Sequence, residues 1–260
     1  MSAHHGEWAL VTGASSGIGV EFARLLAARK YSLVLAARRE GLLQELAEEL
    51  RAAHGVEVIV LPIDLSVPGS ATQLWGRMTR ESLHMTVLVN NAGFGDRGPF
   101  ADADHHRTSQ MMQLNMNSLV ELTQLALPSM LQHKKGYVLN VASTAAFQPG
   151  PNMSVYFATK AFVLSFSEGV NAELEGTGVS VTTLCPGPTE SEFFDRANMK
   201  GTPLFERKLP TSREVADFGL QGMFQRKRTV VHGFSNRMGT IGSRFSPRGM
   251  VLSITRKMLT

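Results

Sequence analysis

The sequence is short of the residues that cross-link secreted proteins or span membranes. Cys185 is the one cysteine among 260 residues, which excludes an intrachain disulfide. No run of about 18 uninterrupted apolar residues occurs, so we expect no membrane-spanning helix. The start, Met1–Glu7, is polar and lacks the apolar stretch of a secretory signal. From these absences we predict a cytoplasmic protein.

Acidic residues are absent after Asp217, whereas eight basic residues follow it. Residues 1–217 therefore carry a net charge of −4, against +4 for the whole chain. A basic end of this kind can meet anionic lipid, nucleic acid or an acidic partner. We expect a solvated helix face with subunit contacts instead, and no nucleic acid as a partner.

Histidine occurs in two adjacent pairs, His4-His5 and His105-His106. Neighbouring residues point to different faces of a helix or strand, so neither pair has the spacing of metal ligands. We therefore predict no metal site.

Apolar runs alternate with helical patterns along the whole chain. The runs are nearly continuous, as in strands that are buried on both faces of a sheet. They are Trp8–Val11, Ser32–Ala36, Val56–Leu61, Val87–Val89, Tyr137–Val141 and Val179–Leu184, with Thr229–His232 as a weaker seventh. Helical spacing follows at Leu42–Leu50, and residues 105–133 and 154–175 are longer helix candidates. Strict alternation predicts an α/β fold with parallel strands and a single domain over residues 1–260.

A glycine-rich turn lies between the first strand and the amphipathic stretch Val20–Lys30. Such a turn presents backbone N–H groups and the positive end of a helix dipole, which suit a pyrophosphate. Its glycine spacing, G-x-x-x-G-x-G, differs from the G-x-G-x-x-G fingerprint of dinucleotide folds. The residues that we expect at the cofactor phosphates are Gly13, Ser15, Ser16, Gly17, Ile18 and Gly19.

The end of the second strand indicates which dinucleotide binds. An acidic residue there holds the ribose 2′-hydroxyl of NAD, but this strand ends in Arg38-Arg39 and the first carboxylate is Glu40. A guanidinium binds a 2′-phosphate through charge-assisted hydrogen bonds. We therefore predict NADP(H), with Arg38 as the first candidate and Arg39 as the second.

Tyr156 and Lys160 are four residues apart on a predicted helix, so they share one face. The ammonium favours phenolate, and we expect it to lower the pKa of Tyr156. Tyr156 is then a candidate general acid in reduction and base in oxidation. Ser143 follows the strand Tyr137–Val141, where a hydroxyl can hydrogen-bond a substrate oxygen.

Taken together and in order, these motifs resemble the short-chain dehydrogenase/reductase family, in its NADP-preferring branch of about 250 residues. The resemblance runs from about Trp8 to Gly233. It is carried by Thr12–Gly19, Asp64, Asn90–Gly93, Asn115, Ser143, Tyr156 with Lys160, and Pro186-Gly187. It implies a Rossmann-type doubly wound sheet of about seven parallel strands in the order 3-2-1-4-5-6-7, with helices on both faces. It also implies a homodimer or homotetramer formed through the two long helices.

The resemblance assigns a role to each of four catalytic positions. Tyr156 is the proton donor or acceptor, and Ser143 orients and polarises the carbonyl. Lys160 binds the nicotinamide ribose and lowers the pKa of Tyr156. Asn115 holds a water that joins Lys160 to a proton relay.

The same resemblance implies further contacts to the cofactor. Asp64 reaches the adenine, and Asn90 packs beside the cofactor. The remaining predicted contacts are Leu65, Asn91, Ala92, Gly93, Pro186, Gly187 and Thr189, with Ser191 as the alternative to Thr189 at the carboxamide.

Two segments lie outside the motifs. Residues 188–212 follow the sixth strand and are rich in apolar side chains, so we predict a substrate lid and a largely hydrophobic substrate. Residues 234–260 form a basic C-terminal extension, in which Pro247–Thr260 has apolar residues at helical spacing. This helix suits a membrane interface, or docking on the domain or a sister subunit, which is the use we expect.

The predicted function is an NADP(H)-dependent oxidoreductase that interconverts a small-molecule carbonyl and an alcohol. One alternative is a dehydratase or isomerase with the same fold and nucleotide. Another is a non-catalytic NADP(H)-binding regulator or scaffold. The intact set of Asn115, Ser143, Tyr156 and Lys160 favours the oxidoreductase.

Overall fold

A computed structural model describes residues 6–81, 83–190, 192 and 209–259. In this part of the chain seven parallel strands form one sheet in the order β3-β2-β1-β4-β5-β6-β7. The strands are β1 Trp8–Thr12, β2 Ser32–Ala37, β3 Val58–Pro62, β4 Met85–Asn90, β5 Gly136–Val141, β6 Val179–Cys185 and β7 Thr229–Val231. The predicted strand order and the parallel sheet are confirmed.

Helices cover both faces of the sheet. They are α1 Gly17–Ala28, α2 Glu40–His54, α3 Ser70–Arg80, α4 His105–Met112, α5 Ser118–Gln132, α6 Ser154–Glu173, α7 Ser212–Phe224, α8 Phe234–Phe245 and α9 Arg248–Leu259. No helix in the described ranges is long and apolar enough to cross a membrane.

The core lies on both faces of the sheet because successive strand residues point to opposite sides. Val11 belongs to the cluster that includes Phe22 of α1. Its neighbour Leu10 belongs to the cluster on the other face, which includes Leu74 of α3 and Leu122 of α5. Burial on both sides explains why the strands read as continuous apolar runs.

The predicted helix over residues 105–133 runs from His105 to Gln132, with a wider π-helical turn at Gln113–Asn117 between α4 and α5. Asn115 lies in this turn, and its side-chain hydrogen bonds are made to other parts of the fold. They join it to the main chain at Phe94 and to Thr159 of α6 instead of to solvent. Such π turns are frequent at functional sites.

Because all strands are parallel, the loops that follow them meet at one edge of the sheet. The predicted lid follows β6 at this edge. Residues 191 and 193–208 of that lid, together with His4 and His5, lie outside the described residues. At its described ends, Glu190 forms a parallel β-bridge with Thr211.

Candidate active site

A cleft of about 1260 Å³ opens at the carboxyl edge of the sheet. It brings together most of the predicted site residues. Those that line it are Gly13, Ser15, Ser16, Gly17, Ile18, Arg38, Arg39, Asp64, Leu65, Asn91, Ala92, Gly93, Ser143, Tyr156, Lys160, Pro186, Gly187 and Thr189. Gly19, Asn90 and Asn115 are buried and do not line it.

The glycine-rich loop has the geometry of a phosphate cradle. Gly13 and Gly17 have φ of +67° and +55°, a left-handed backbone that glycine adopts without strain. A Cβ on Gly19 would lie 2.2 Å from the Gly13 carbonyl oxygen, so no side chain fits there. Helix α1 begins at Gly17, and both Ser16 and Gly17 line the cleft, so the N-terminal end of the helix, where the first N–H groups have no partner within the helix, lies at the cleft. These features fit a dinucleotide pyrophosphate.

Thr12 connects this loop to the end of β4, a role that the sequence analysis missed. Its hydroxyl accepts hydrogen bonds from the N–H groups of Asn91 and Ala92, both at 3.0 Å, and donates to the Val89 carbonyl at 3.2 Å. The Asn91 side chain donates back to the Thr12 carbonyl at 3.0 Å. Thr12 opens the glycine motif, but the pattern alone gives no sign of these contacts.

The two arginines after β2 differ in their surroundings. Arg39 donates to the Ser15 carbonyl at 2.9 Å and pairs with Glu192 at 3.1 Å. The Arg38 side chain is 62% exposed, and its Nη1 is 3.8 Å from Oδ2 of Asp64. The second candidate, Arg39, is therefore fixed on the phosphate loop, whereas Arg38 projects into the open cleft.

Ser143 and Tyr156 form the centre of the site. Ser143 begins a one-turn helix, Thr144–Phe147, in which its Oγ accepts from Ala145 N at 3.1 Å. Ser143 also hydrogen-bonds the Tyr156 phenol. Burial raises the pKa of Tyr156 to about 12, and the hydrogen bond with Ser143 opposes this shift.

The predicted lowering of the pKa of Tyr156 by Lys160 is therefore wrong for this structure. Lys160 Nζ lies 5.8 Å from the centroid of the Tyr156 ring and donates to the Val141 carbonyl at 2.8 Å. Both side chains are buried, and the loss of hydration determines the direction in which the pKa of Tyr156 shifts. Burial also lowers the pKa of Lys160 to about 8.

Asn115 lies behind the cleft wall, next to the lysine. Its Oδ1 accepts from Phe94 N at 3.1 Å, and its Nδ2 donates to the Phe94 carbonyl at 3.0 Å and to Thr159 Oγ1 at 3.1 Å. Gly93 fits between them, because a Cβ there would be 3.0 Å from Asn115 Oδ1 and 3.5 Å from Lys160 Nζ. The side chain of Asn115 thus joins the loop after β4 to α6.

The loop after β6 packs against α8. A Cβ on Gly187 would lie 2.3 Å from Nδ2 of Asn236, and Thr189 Oγ1 donates to the Gly187 carbonyl at 2.9 Å. Ser191, the alternative to Thr189, lies outside the described residues. Asn236 is a site residue that no motif in the sequence indicates.

The last helix closes the far side of the cleft. Val251, Thr255 and Leu259 of α9 are buried and line it, and Arg97 Nε donates to the Leu259 carbonyl at 2.9 Å. The expected docking of this helix on the domain is what the structure shows.

The family model described as short chain dehydrogenase matches residues 7–201, three quarters of the chain. The chain belongs to the short-chain dehydrogenase family.

Solved and curated short-chain dehydrogenases support this assignment. A very-long-chain 3-oxoacyl-CoA reductase from Anas platyrhynchos is 33% identical over 97% of this chain and 80% of its own length. Four other curated relatives are longer, and the chain spans 53–61% of their length.

Two solved structures superpose on nearly the whole chain. A short-chain dehydrogenase from Sphingobium yanoikuyae in complex with NADPH has a TM-score of 0.82 and 33% identity, with 92% of this chain and 93% of that one covered. A 7β-hydroxysteroid dehydrogenase has a TM-score of 0.87 and 27% identity, with 98% and 99% covered. As a short-chain dehydrogenase, this protein is an oxidoreductase that binds a pyridine nucleotide and acts on CH–OH or C=O groups.

Proposed function

We propose that this short-chain dehydrogenase uses NADP(H) to interconvert a carbonyl and an alcohol on a largely hydrophobic substrate. The observation that carries the proposal is the hydrogen-bonded pair of Ser143 and Tyr156, beside Lys160 and in the same cleft as the phosphate loop. When bound, the nucleotide supplies or accepts the hydride. The side chains of the protein manage the proton.

Tyr156 and Ser143 act on the substrate oxygen. The Ser143 hydroxyl hydrogen-bonds this oxygen and stabilises the negative charge that develops on it during reduction. Tyr156 then donates its proton to it, and takes a proton from the alcohol in the reverse direction. With a pKa of about 12 before the nucleotide binds, Tyr156 holds its proton at neutral pH, as a donor must.

Lys160 and Asn115 support this proton transfer. One of the three N–H donors of the Lys160 ammonium is used by the Val141 carbonyl, and the others are available to the nicotinamide ribose. A bound positive charge there favours the tyrosinate that forms when Tyr156 gives up its proton. Because the side chain of Asn115 bonds Phe94 and Thr159, we assign the water of the relay to its main-chain carbonyl.

The preference for NADP(H) is supported by the end of β2. Arg39 is held against Ser15 of the phosphate loop, and Arg38 projects into the cleft from the next position. A guanidinium pair at this place attracts the 2′-phosphate. Asp64 lines the same cleft, and its Oδ1 accepts from Ser66 N at 2.9 Å. In the proposal Asp64 contacts the adenine.

A hydrophobic substrate is supported by the far wall of the cleft. Apolar side chains from four parts of the chain line it: Phe94, Met153, Leu209, Val251, Ile254, Met258 and Leu259. Two relatives are named for large substrates with apolar skeletons, a very-long-chain 3-oxoacyl-CoA and a hydroxysteroid. We therefore infer a ketone or secondary alcohol on a long or bulky apolar skeleton.

Subunit association through α5 and α6 is part of the proposal. Phe162 on α6 is exposed and stacks on Phe166, with ring centroids 5.9 Å apart, and Leu131 on α5 is exposed as well. Light scattering of the wild type and Phe162→Glu tests this, and an unchanged mass would contradict it.

The reaction is tested by the loss of NADPH absorbance with a panel of aldehydes, ketones, quinones and 3-oxoacyl esters. Tyr156→Phe removes the proton donor and is expected to lower turnover by roughly 10²-fold or more. Tyr137→Phe, which removes a phenol outside the cleft, is the matched control and is expected to retain full activity.

Three results would overturn the proposal. Full activity of Tyr156→Phe would remove the tyrosine from the reaction. NADPH binding without turnover of any substrate would favour a nucleotide-binding regulator, and a product formed with no net change in NADPH would favour a dehydratase or isomerase.

A further inference from the structure

Helix α8 carries an apolar stripe that faces solvent. Phe234, Met238, Ile241 and Phe245 recur at i, i+4, i+7 and i+11 and so share one helix face. All four are exposed, and Phe234 and Phe245 are 80% and 85% exposed. Helices on a soluble domain ordinarily turn such a stripe toward the core.

The opposite side of α8 faces the domain instead, and its residues are polar or small. Those that line the cleft are Ser235, Asn236, Gly239, Thr240, Gly242 and Ser243. Thr240 is buried, and Asn236 donates to the His232 carbonyl at 2.8 Å. The side of α8 that lines the cleft is therefore polar or small, and its apolar stripe lies outside the cleft.

Helix α9 adds a second exposed stripe. Met250, Ile254 and Met258 recur at i, i+4 and i+8, beside the buried row that contains Val251. Ile254 and Met258 also line the cleft, so this stripe borders the cleft entrance. We call the seven side chains of the two stripes the C-terminal apolar surface.

Exposed large apolar side chains are concentrated in these two helices. Of the fifteen large apolar side chains that are exposed among the described residues, eight lie between positions 234 and 259. Apolar patches of this kind mark surfaces that bind a partner or a membrane.

The charge of the same two helices indicates whether a second copy of the chain or a bilayer binds them. They carry five exposed cations and no acidic residue. The cations are Arg237, Arg244, Arg248, Arg256 and Lys257. A two-fold contact with a second copy would bring these like charges together, which is unfavourable. An anionic bilayer offers both an apolar interior and negative headgroups.

We propose that α8 and α9 dock this protein on the surface of an anionic lipid bilayer. The C-terminal apolar surface enters the boundary between headgroups and acyl chains, and the five cations contact the headgroups. This inference goes beyond the proposed reaction and does not depend on it, because docking requires neither nucleotide nor turnover.

Vesicle flotation of the full chain tests the docking. Vesicles of phosphatidylcholine alone are compared with vesicles that contain about 30% phosphatidylglycerol, at about 0.1 M and about 0.5 M salt. We expect recovery with the anionic vesicles, weaker recovery at the higher salt, and little recovery with phosphatidylcholine. No flotation of the wild type with anionic vesicles would overturn the proposal.

The double variant Phe234→Ser/Phe245→Ser tests the surface itself. Each phenylalanine is expected to contribute roughly 10-fold or more to the partition coefficient, so the variant should lose about 100-fold. Neither residue lines the cleft, so NADPH binding is retained and reports an intact fold. Phe100→Ser is the matched control, because Phe100 is 67% exposed on a different part of the molecule and should leave flotation unchanged.

Equal flotation of the double variant and the wild type would refute the assigned surface, as would an equal loss in Phe100→Ser. Light scattering of the same proteins detects the competing occupant of this surface, which is a second copy of the chain. If the wild type is an oligomer that does not float and the double variant forms smaller species, the surface is a subunit interface. The proposal that it docks on a bilayer is then wrong.

Discussion

Arg39 donates hydrogen bonds to both the carbonyl and the hydroxyl oxygen of Ser15, at 2.9 Å and 3.3 Å. This contact ties the end of β2 to the phosphate loop. It also places a fixed positive charge where the adenosine ribose of a dinucleotide lies in our proposal. A lysine at position 39 has no planar fork with which to repeat it.

Arg39→Ala is expected to weaken NADPH binding by about 10- to 100-fold, because it removes a charge-assisted hydrogen bond to the 2′-phosphate. NADH has no 2′-phosphate, so its affinity should change much less. Calorimetric titration with both nucleotides measures the two changes, and Arg77→Ala on α3 is an exposed control outside the cleft. Equal losses for the two nucleotides would contradict a role at the phosphate.

Ser143→Ala is expected to lower kcat by roughly 10²-fold, because it removes one hydrogen-bond donor to the substrate oxygen. It also removes the bond that opposes the raised pKa of Tyr156. Ser143→Thr keeps the hydroxyl and should recover part of the activity. Steady-state kinetics with a ketone substrate decide the matter, and the same kcat in Ser143→Ala as in the wild type would exclude the assigned role.

Lys160 is expected to cost the folded protein stability at neutral pH. Burial lowers its pKa from 10.5 to about 8, so between these pH values the unfolded chain binds more protons than the folded chain. The free energy of unfolding therefore rises with pH across this window, by up to about 3 kcal/mol from this group.

Lys160→Met has no charge to bury and should lack this rise. Denaturant titrations of both proteins at about pH 7.5 and about pH 10 compare the change in unfolding free energy. A parallel change in the two proteins would show that Lys160 is not the source.

Gly19→Ala is expected to destabilise the fold by about 1–3 kcal/mol and to weaken nucleotide binding. Its Cβ would lie 2.2 Å from the Gly13 carbonyl oxygen and 2.7 Å from Nδ2 of Asn91, so the loop must move. Gly41→Ala on α2 is the control, since its Cβ would meet no described atom within 4 Å. This control should instead stabilise the protein by about 0.4–1 kcal/mol. Thermal unfolding and NADPH titration of both variants test this difference. Similar changes in stability and in NADPH affinity for Gly19→Ala and Gly41→Ala would contradict the prediction.

The parallel sheet and the position of the cleft could be predicted from sequence because they follow from local patterns, whereas the strand order is implied only by the resemblance to the family. Apolar runs identify strands, alternation with helices makes them parallel, and parallel strands bring their carboxyl ends to one edge. The spacing of Tyr156 and Lys160 likewise fixes that they share a helix face. It cannot give their burial, which depends on distant segments, and so the direction of the shift in the pKa of Tyr156 is predicted wrongly.

Other features of the site depend on contacts that no spacing encodes. Asn236 reaches Gly187 from a helix that follows the last strand, beyond the part of the chain that carries the family motifs. The π turn around Asn115 requires the groups at Phe94 and Thr159. In each case the partner is brought close by the tertiary fold.

The bridge between Glu190 and Thr211 holds together the two ends of the stretch that follows β6. Glu190 N donates to the Pro210 carbonyl at 3.0 Å, and Ser212 Oγ donates to the Glu190 carbonyl at 2.7 Å. Thr211 also begins α7 with a reciprocal cap to Glu214. Both ends of the intervening stretch are thus clamped to each other and to a stable helix.

Doubling the length of a loop with fixed ends costs only about 0.6 kcal/mol in closure entropy. We therefore expect that the residues between Glu190 and Thr211 can be exchanged for a graft of another length while the bridge and the sheet keep their places. If this stretch is the substrate lid that the sequence predicts, such grafts should change which carbonyl compounds are reduced.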